Sequence, residues 1–216
     1  MEIPRAYDSV VKRYERLARV YDRRWHAYLR QTLESALEAL RLSGTEHVLD
    51  VGCGTGEFER LALGRFPGLM MIGVDVTPAM LAVAKQKLAG FSQVSFQVAN
   101  AEALPFDLGQ FDVVVAANVL HHVRSPLPFL QECSRVLRHG GQFVLVDWCL
   151  DFWHCRLLHG WWRLMDRSYV RMYRLREVVR LLEELGLTLD GATRFLTSRG
   201  YGMMRLLAQK IVCAPT

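Results

Sequence analysis

The sequence predicts an α/β three-layer sandwich built as one domain. Short apolar runs that read as buried strands alternate with segments of helical period, and a glycine-rich turn joins the first strand to the next helix. Such alternation implies a mostly parallel sheet covered by helices on both faces. The chain has 216 residues, 51% of them hydrophobic, enough for a substantial core. Three stretches are expected: N-terminal helices over 1–42, a ligand-binding core over 43–148, and a lid insertion, a helix and the last two strands over 149–216.

Apolar residues recur with a helical period from Val10 through Tyr14, Leu17, Tyr21, Trp25, Tyr28 and Leu33 to Leu40, so one long helix or two in series open the fold. Ser43-Gly44 stops them, and His47–Val51 is a short buried strand ending in glycines. Further strands are expected at Leu69–Val74, Val94–Ala99, Phe111–Ala116 and Gln142–Val146. Thr77-Pro78 and Ser125-Pro126 mark helix starts, the hydroxyl residue as cap and proline in the first turn. Gly140-Gly141 is expected to end the helix carrying Phe129 to Leu137. After the fifth strand come Asp151 to Arg167, a helix over Leu175–Leu185 stopped by Gly186, and strands near Leu187–Leu196 and Met203–Val212.

The net charge is +5, from 27 basic and 22 acidic residues, and much of the excess arginine falls between Arg156 and Arg205. That balance serves solubility and also admits an anionic partner such as a membrane surface or nucleic acid. Five cysteines, Cys53, Cys133, Cys149, Cys155 and Cys213, lack zinc-site spacing and disulfide density, which fits a reducing cytoplasm. Cys149 and Cys155 stand too far apart, without a third cysteine beside them, for a soft-metal site, and no metal is expected. Met1-Glu2-Ile3-Pro4-Arg5 does not open a secretory signal, and no apolar run is long enough to span a bilayer.

The sharpest motif is Asp50-Val51-Gly52-Cys53-Gly54-Thr55-Gly56, between strand and helix. Its glycines let the backbone turn tightly and a ligand approach the main chain. A dinucleotide site would place a third glycine three positions after Gly54; Glu57 stands there, and Asp50 adds a second carboxylate, a poor setting for a pyrophosphate. S-Adenosylmethionine carries no phosphate, and its ammonium and sulfonium tolerate carboxylates. Nineteen residues beyond Gly56, Asp75 ends the second strand, where it can accept from both ribose hydroxyls. Asn100-Ala101-Glu102 follows the third strand where adenine would lie, with Ala103-Leu104-Pro105-Phe106 as an apolar lid.

These segments, with Val48-Leu49 ahead of the loop and Arg135-Val136-Leu137-Arg138-His139-Gly140-Gly141, resemble class I methyltransferases of the ubiquinone/menaquinone-biosynthesis-like group over roughly residues 43 to 148. The resemblance implies a Rossmann-like sandwich with a seven-stranded sheet whose last strand is antiparallel. It also implies S-adenosylmethionine as cofactor, Asp75 on the ribose, Ala101 and Glu102 near adenine, and Asn118 near the methionine moiety. Asn100 departs from the aspartate the family often carries. Tyr21 is expected to reach the cofactor as N-terminal helices do in relatives, and Val76 and Met80 complete the expected binding set.

Methyl transfer from a sulfonium is an in-line displacement that depends chiefly on alignment, with a base needed only for some acceptors. The fourth strand runs out into Asn118-Val119-Leu120-His121-His122 and the fifth into Asp147-Trp148, both at the carboxyl end of the sheet. His121 or His122 and Asp147 are therefore expected to converge as a base and its orienting carboxylate, and the resemblance to small-molecule O-methyltransferases of this group favours His121; the other reading leaves both histidines as packing residues. Trp153, Leu157, Trp161 and Leu164 form one helical stripe, with arginines opposite, expected to cover the mouth of the site and line an apolar acceptor pocket. The same helix suits a membrane interface, where it would fetch a lipid or quinone precursor. A nucleic-acid acceptor is disfavoured, because the fourth strand lacks an Asn-Pro-Pro-Tyr-like tetrad. The expected activity is O- or C-methylation of a small apolar or aromatic molecule; a non-catalytic cofactor-binding regulator is the alternative from another class.

Overall fold

The structure, a computed structural model, describes residues 7–211. Met1-Glu2-Ile3-Pro4-Arg5, Val212 and Cys213 lie outside the described residues. Two helices in series, α1 (Asp8–Leu17) and α2 (Tyr21–Ala39), precede the sheet. There follow β1 (His47–Val51), α3 (Glu57–Arg65), β2 (Met70–Asp75), α4 (Pro78–Lys87), β3 (Val94–Val98), β4 (Phe111–Ala117), a single 3₁₀ turn (Leu120–His122), α5 (Pro126–Val136) and β5 (Leu137–Trp148). The chain continues through α6 (Trp153–Met165), α7 (Leu175–Glu184), β6 (Leu187–Leu196) and β7 (Gly202–Lys210).

The strands form one seven-stranded sheet in the order β3-β2-β1-β4-β5-β7-β6. The β1–β2, β2–β3, β1–β4 and β4–β5 pairs are parallel, whereas β7 runs antiparallel to both β5 and β6. The order reverses between β1 and β4, which opens a crevice at their carboxyl ends, the usual ligand position in such sheets. Alternate residues of each strand feed two cores: Val113, Val115, Val144 and Val146 pack toward α2 and α3, and Val114, Ala116, Phe143 and Leu145 toward α5 and α7. This alternation makes the layers.

Three local expectations need correction. Thr77 and Ser125 precede their helices, with proline in the first turn, but neither side chain makes a cap hydrogen bond; the helix start rests on the fixed proline φ instead. Gly140-Gly141 does not end a helix. α5 stops at Val136, and the glycines sit inside β5, where the pairing jumps from Phe111↔Leu137 to Val113↔Gln142. A Cβ on Gly141 would fall 2.7 Å from Leu137 Cδ1 and 2.8 Å from the Asp112 carbonyl oxygen, so this irregularity demands glycine.

The third correction concerns α6. Its Trp153, Leu157, Trp161 and Leu164 stripe is exposed, while Cys155 is buried and Leu158 and Trp162 pack on the core from the other face. Periodicity defines the stripe but not which side the rest of the chain covers, and here the inner face is the narrower one.

Gly141→Ala is expected to cost about 1–3 kcal/mol of unfolding free energy, the usual penalty for forcing an atom into a filled space. Urea denaturation of the variant beside the parent checks this.

Candidate active site

The loop after β1 is shaped by its backbone. Gly52 adopts φ +79°, and a Cβ there would lie 2.6 Å from Val119 Cγ2, so only glycine lets the loop pass under the β4 end. The Gly52 and Cys53 amides both donate to the Val74 carbonyl oxygen, tying the loop to β2. Asp75 accepts from the Gly54 amide at 3.1 Å and from the Thr77 amide at 2.7 Å, which fixes its carboxylate at the rim and leaves lone pairs for a ligand. Together these residues wall a cleft of about 910 Å³, whose lining includes Gly52, Cys53, Gly54, Val76, Met80, Ala101 and Asn118. Gly56 caps α3 in the left-handed region, below the cleft.

Two carboxylates of the cleft lining, Asp50 and Asp75, make no salt bridge among the described residues, and Glu59 of α3 is buried near Asp50 without lining the cleft. Asp50 is buried, and burial together with the neighbouring Asp75 carboxylate pushes its pKa up to about 8. Burial also raises Asp75, although its amide donors oppose the shift. Glu59, fully buried on α3 with neither carboxylate oxygen hydrogen-bonded, is held well above the carboxylate range by burial and then by Asp50. Burial raises the Cys53 thiol as well, so it stays protonated beside them.

Asn100 and Glu102 stand beside the lining of this cleft rather than in it. Asn100 Oδ1 accepts from the Glu102 amide at 3.0 Å, and Glu102 Oε1 accepts from the Ser125 amide at 3.1 Å. Of the expected adenine segment, Ala101 lines the cleft.

Helices α1 and α2 close the cleft from above. Lys87 of α4 pairs with Asp22 at 2.6 Å and Glu57 at 3.0 Å, and the Thr55 hydroxyl also bonds to Asp22. Asn118, the sole non-glycine with positive φ among the described residues, leaves β4 at φ 60°, a region asparagine tolerates better than most. Tyr28 Oη donates to its Oδ1 at 2.7 Å, and its Nδ2 donates to Thr32 Oγ1 at 2.9 Å. Both ends of the amide are therefore occupied by α2.

A second cavity of about 590 Å³ adjoins the first and shares Tyr14, Tyr21, Asn118 and His122 with it. Its remaining wall is largely aromatic, with Trp25, Tyr28, Trp148, Trp162 and Tyr169 alongside Met172 and His121. Sequence reasoning assigned this role to Trp153 and Trp161; Trp162, one position along the helix, takes it. Tyr28 and Tyr169 carry no local signal for the role, since what brings them together is the packing of α2 and the segment after α6.

The two histidines differ in environment. His122 lies between the Ser168 carbonyl oxygen, 2.7 Å from Nδ1, and Tyr14 Oη, 2.7 Å from Nε2. A carbonyl only accepts, so Nδ1 carries the proton and Nε2 accepts from tyrosine. Burial and then the neighbouring His121 hold the His122 pKa well below the ordinary range, so the ring is neutral. His121 Nδ1 instead meets Asp147 Oδ1 at 2.8 Å, and Asp147, buried at the end of β5, also accepts from the Trp148 amide at 2.6 Å. Asp147 thus sets the tautomer and leaves Nε2 of a cavity-lining imidazole free to take a proton. The His121 carbonyl oxygen is clamped by the Val170 amide at 2.9 Å.

Cys149 Sγ bonds to Asp151 and Cys155 Sγ to the Gly202 carbonyl oxygen, so the two thiols serve separate contacts.

A methyltransferase-domain family model matches residues 49–145. The O-methyltransferase resE of Aspergillus sclerotiorum is 37% identical over 137 residues, covering 58% of this chain and 51% of that protein. The demethylmenaquinone methyltransferase of Tropheryma whipplei is 30% identical over 196 residues, covering 91% of this chain and 74% of that protein. The chain belongs to the class I S-adenosylmethionine-dependent methyltransferases, in their ubiquinone/menaquinone-biosynthesis-like group. The fold is shared with the geranyl diphosphate C-methyltransferase of Streptomyces coelicolor, at a TM-score of 0.71 and 17% identity over 86% of this chain and 82% of that one. The chain spans about half the length of the Aspergillus relative and three-quarters of the Tropheryma one.

The donor set suits the family's cofactor. Its carboxylates, Asp50 and Asp75, complement a ligand that is cationic at one end and carries ribose hydroxyls in the middle, and the glycine turn leaves room for it along the main chain.

An acid whose folded pKa is raised holds its proton after the unfolded chain has lost it. Stability therefore falls as pH climbs from the ordinary carboxylate range to about 8. Asp50→Asn is expected to raise the melting temperature of the cofactor-free protein at pH 8, with the gain shrinking toward pH 5. Glu59 and Asp75 keep part of the slope. Thermal melts of parent and variant across that window are the check, and parallel curves contradict it.

Proposed function

We propose that the chain transfers a methyl group from S-adenosylmethionine to an oxygen or carbon of a small apolar or aromatic acceptor, with His121 as base and Asp147 as its orienting carboxylate. The observation that carries this reading is the pair of adjoining cavities, one carrying the Asp50 and Asp75 carboxylates in a mostly apolar wall, the other aromatic, with the His121–Asp147 pair at 2.8 Å on the aromatic side. The bound cofactor supplies an activated methyl carbon on a sulfonium, which leaves as a neutral thioether. The residues do the rest. Tyr14, Tyr21 and Asn118 border both spaces and hold the partners in line, and alignment is the larger part of such a displacement.

As the new bond to an acceptor oxygen forms, its proton passes to His121 Nε2. Asp147, whose second oxygen is buried and unpartnered, stabilises the resulting imidazolium. For an acceptor carbon made nucleophilic by a ring hydroxyl, the same base takes the hydroxyl proton; the methylated carbon then loses its own proton as the ring regains aromaticity and the oxygen is reprotonated. Ala101 at the adenine end and Tyr21, Val76 and Met80 along the cleft complete the proposed cofactor contacts, with Asn100 and Glu102 holding the Ala101 segment from beside the cleft.

The extent of the match to the Tropheryma protein favours a second acceptor class, a quinone precursor methylated on ring carbon. A cytoplasmic setting is supported by Cys53, Cys133, Cys149 and Cys155, all buried as free thiols. A nucleic-acid acceptor remains disfavoured: the β4 end offers Asn118-Val119-Leu120-His121 rather than an Asn-Pro-Pro-Tyr-like tetrad.

Purified protein incubated with methyl-labelled cofactor and a metabolite extract is expected to label a small molecule, not protein or RNA. With that acceptor, His121→Ala is expected to lower kcat about 10²- to 10⁴-fold while cofactor Kd stays within about twofold, as loss of a general base requires. Unchanged turnover in the variant rejects the base assignment.

A further inference from the structure

The outward face of α6 has no place in the reading above. Trp153, Leu157, Trp161, Leu164 and Met165 follow one another at helical spacing and are between 60% and 84% exposed, while the opposite face supplies Trp162 to the aromatic cavity. So concentrated an apolar stripe is uncommon on a surface that stays wet. Arg156, Arg163 and Arg167 are exposed on the same segment, and its one acid, Asp166, is buried against Arg13 at 2.7 Å.

The joint between α1 and α2, which contributes Leu17, Tyr21 and Trp25 to the same cavity, repeats the pattern: Arg16, Arg19, Arg23 and Arg24 are exposed and Asp22 is consumed by Lys87. Over residues 16–24 and 153–167, every fully exposed charged side chain is an arginine.

A second copy of the chain is a poor occupant. A two-fold contact brings the same patch against itself, and here that sets arginine against arginine with Glu15, at the edge of the patch, as the exposed carboxylate beside them. A surface that is apolar within and anionic outside answers both features. Tryptophans and leucines sink to the headgroup boundary while arginines meet lipid phosphates.

We propose that the outer face of α6, with the arginines of the α1–α2 joint, docks on an anionic lipid bilayer. Docking lays the roof of the aromatic cavity against the membrane, so an apolar molecule dissolved in the lipid reaches the cavity without crossing water. Binding needs neither cofactor nor acceptor, so it is measured independently of the catalytic reading.

The test is co-sedimentation of the purified chain with vesicles of phosphatidylcholine containing one-quarter phosphatidylglycerol, and with pure phosphatidylcholine vesicles. The chain is expected to bind the anionic vesicles, to bind the neutral ones at least about tenfold more weakly, and to be released by salt. Leu157→Ser with Trp161→Ser is expected to weaken binding about tenfold or more at an unchanged melting temperature, because both side chains are solvent-facing. Arg156→Gln with Arg163→Gln is expected to remove about fivefold per arginine and to flatten the salt dependence. Failure of the parent to bind anionic vesicles overturns the proposal, as does equal binding by the folded Leu157/Trp161 double variant. So does a parent that is a dimer, split by that variant, and bound to neither vesicle.

Discussion

The side-chain amide of Asn118 is held at both ends by α2, through Tyr28 and Thr32, and this fixes the distance between the helical cover and the end of β4. Two hydrogen bonds of ordinary length on a half-buried residue contribute about 0.5–1.5 kcal/mol each, but their geometric effect is larger than their energy. Three residues beyond Asn118 the chain reaches His121, whose carbonyl oxygen is anchored on the segment after α6 and whose ring is anchored on β5. The two cavities exist as separate spaces because this short stretch is tied in three directions. Asparagine suits it doubly, tolerating the left-handed backbone and offering both a donor and an acceptor.

On the other side of that divide the chain accepts an electrostatic cost. Asp50, Glu59 and Asp75 are crowded at the carboxyl ends of β1 and β2 with no lysine or arginine hydrogen-bonded to any of them. Such a cluster is unfavourable for an empty protein when its members ionise, and favourable once a cation joins it. Lys87 neutralises acids only at the edge, at Asp22 and Glu57, and so leaves the interior charge available.

Features set by nearby residues were legible in the sequence. The β1 strand with its glycine turn, Asp75 at the end of β2 and the run of strands to β4 follow from apolar spacing and glycine conformation alone. The convergence of His121 with Asp147 was legible too, since neighbouring strands of a parallel sheet deliver their carboxyl ends to one place. Legibility failed where contact partners lie far apart in the chain. Tyr14 is 108 residues from His122 and Tyr28 is 90 from Asn118, and nothing in their local context announces either pairing. The helix α6 shows a different limit: its apolar stripe was readable, but the covered side was decided by Cys155, Leu158 and Trp162, which together make a less regular pattern than the exposed one. Gly140-Gly141 was read as a helix stop because glycine pairs usually end helices, whereas here the close approach of the Asp112 carbonyl decides their place.

The helices α1 and α2 contribute walls to both cavities, with Tyr14 and Tyr21 facing each of them. One rigid cover over two ligands means that neither site has a geometry of its own. A tilt of α2 that widens the cleft beside Asp50 and Asp75 also reshapes the aromatic one, so substitutions along this helix change both affinities together and their effects do not add. Broadening the acceptor range of such a protein is therefore more separable from the α6 side, where Trp162 and Tyr169 touch only one of the two spaces.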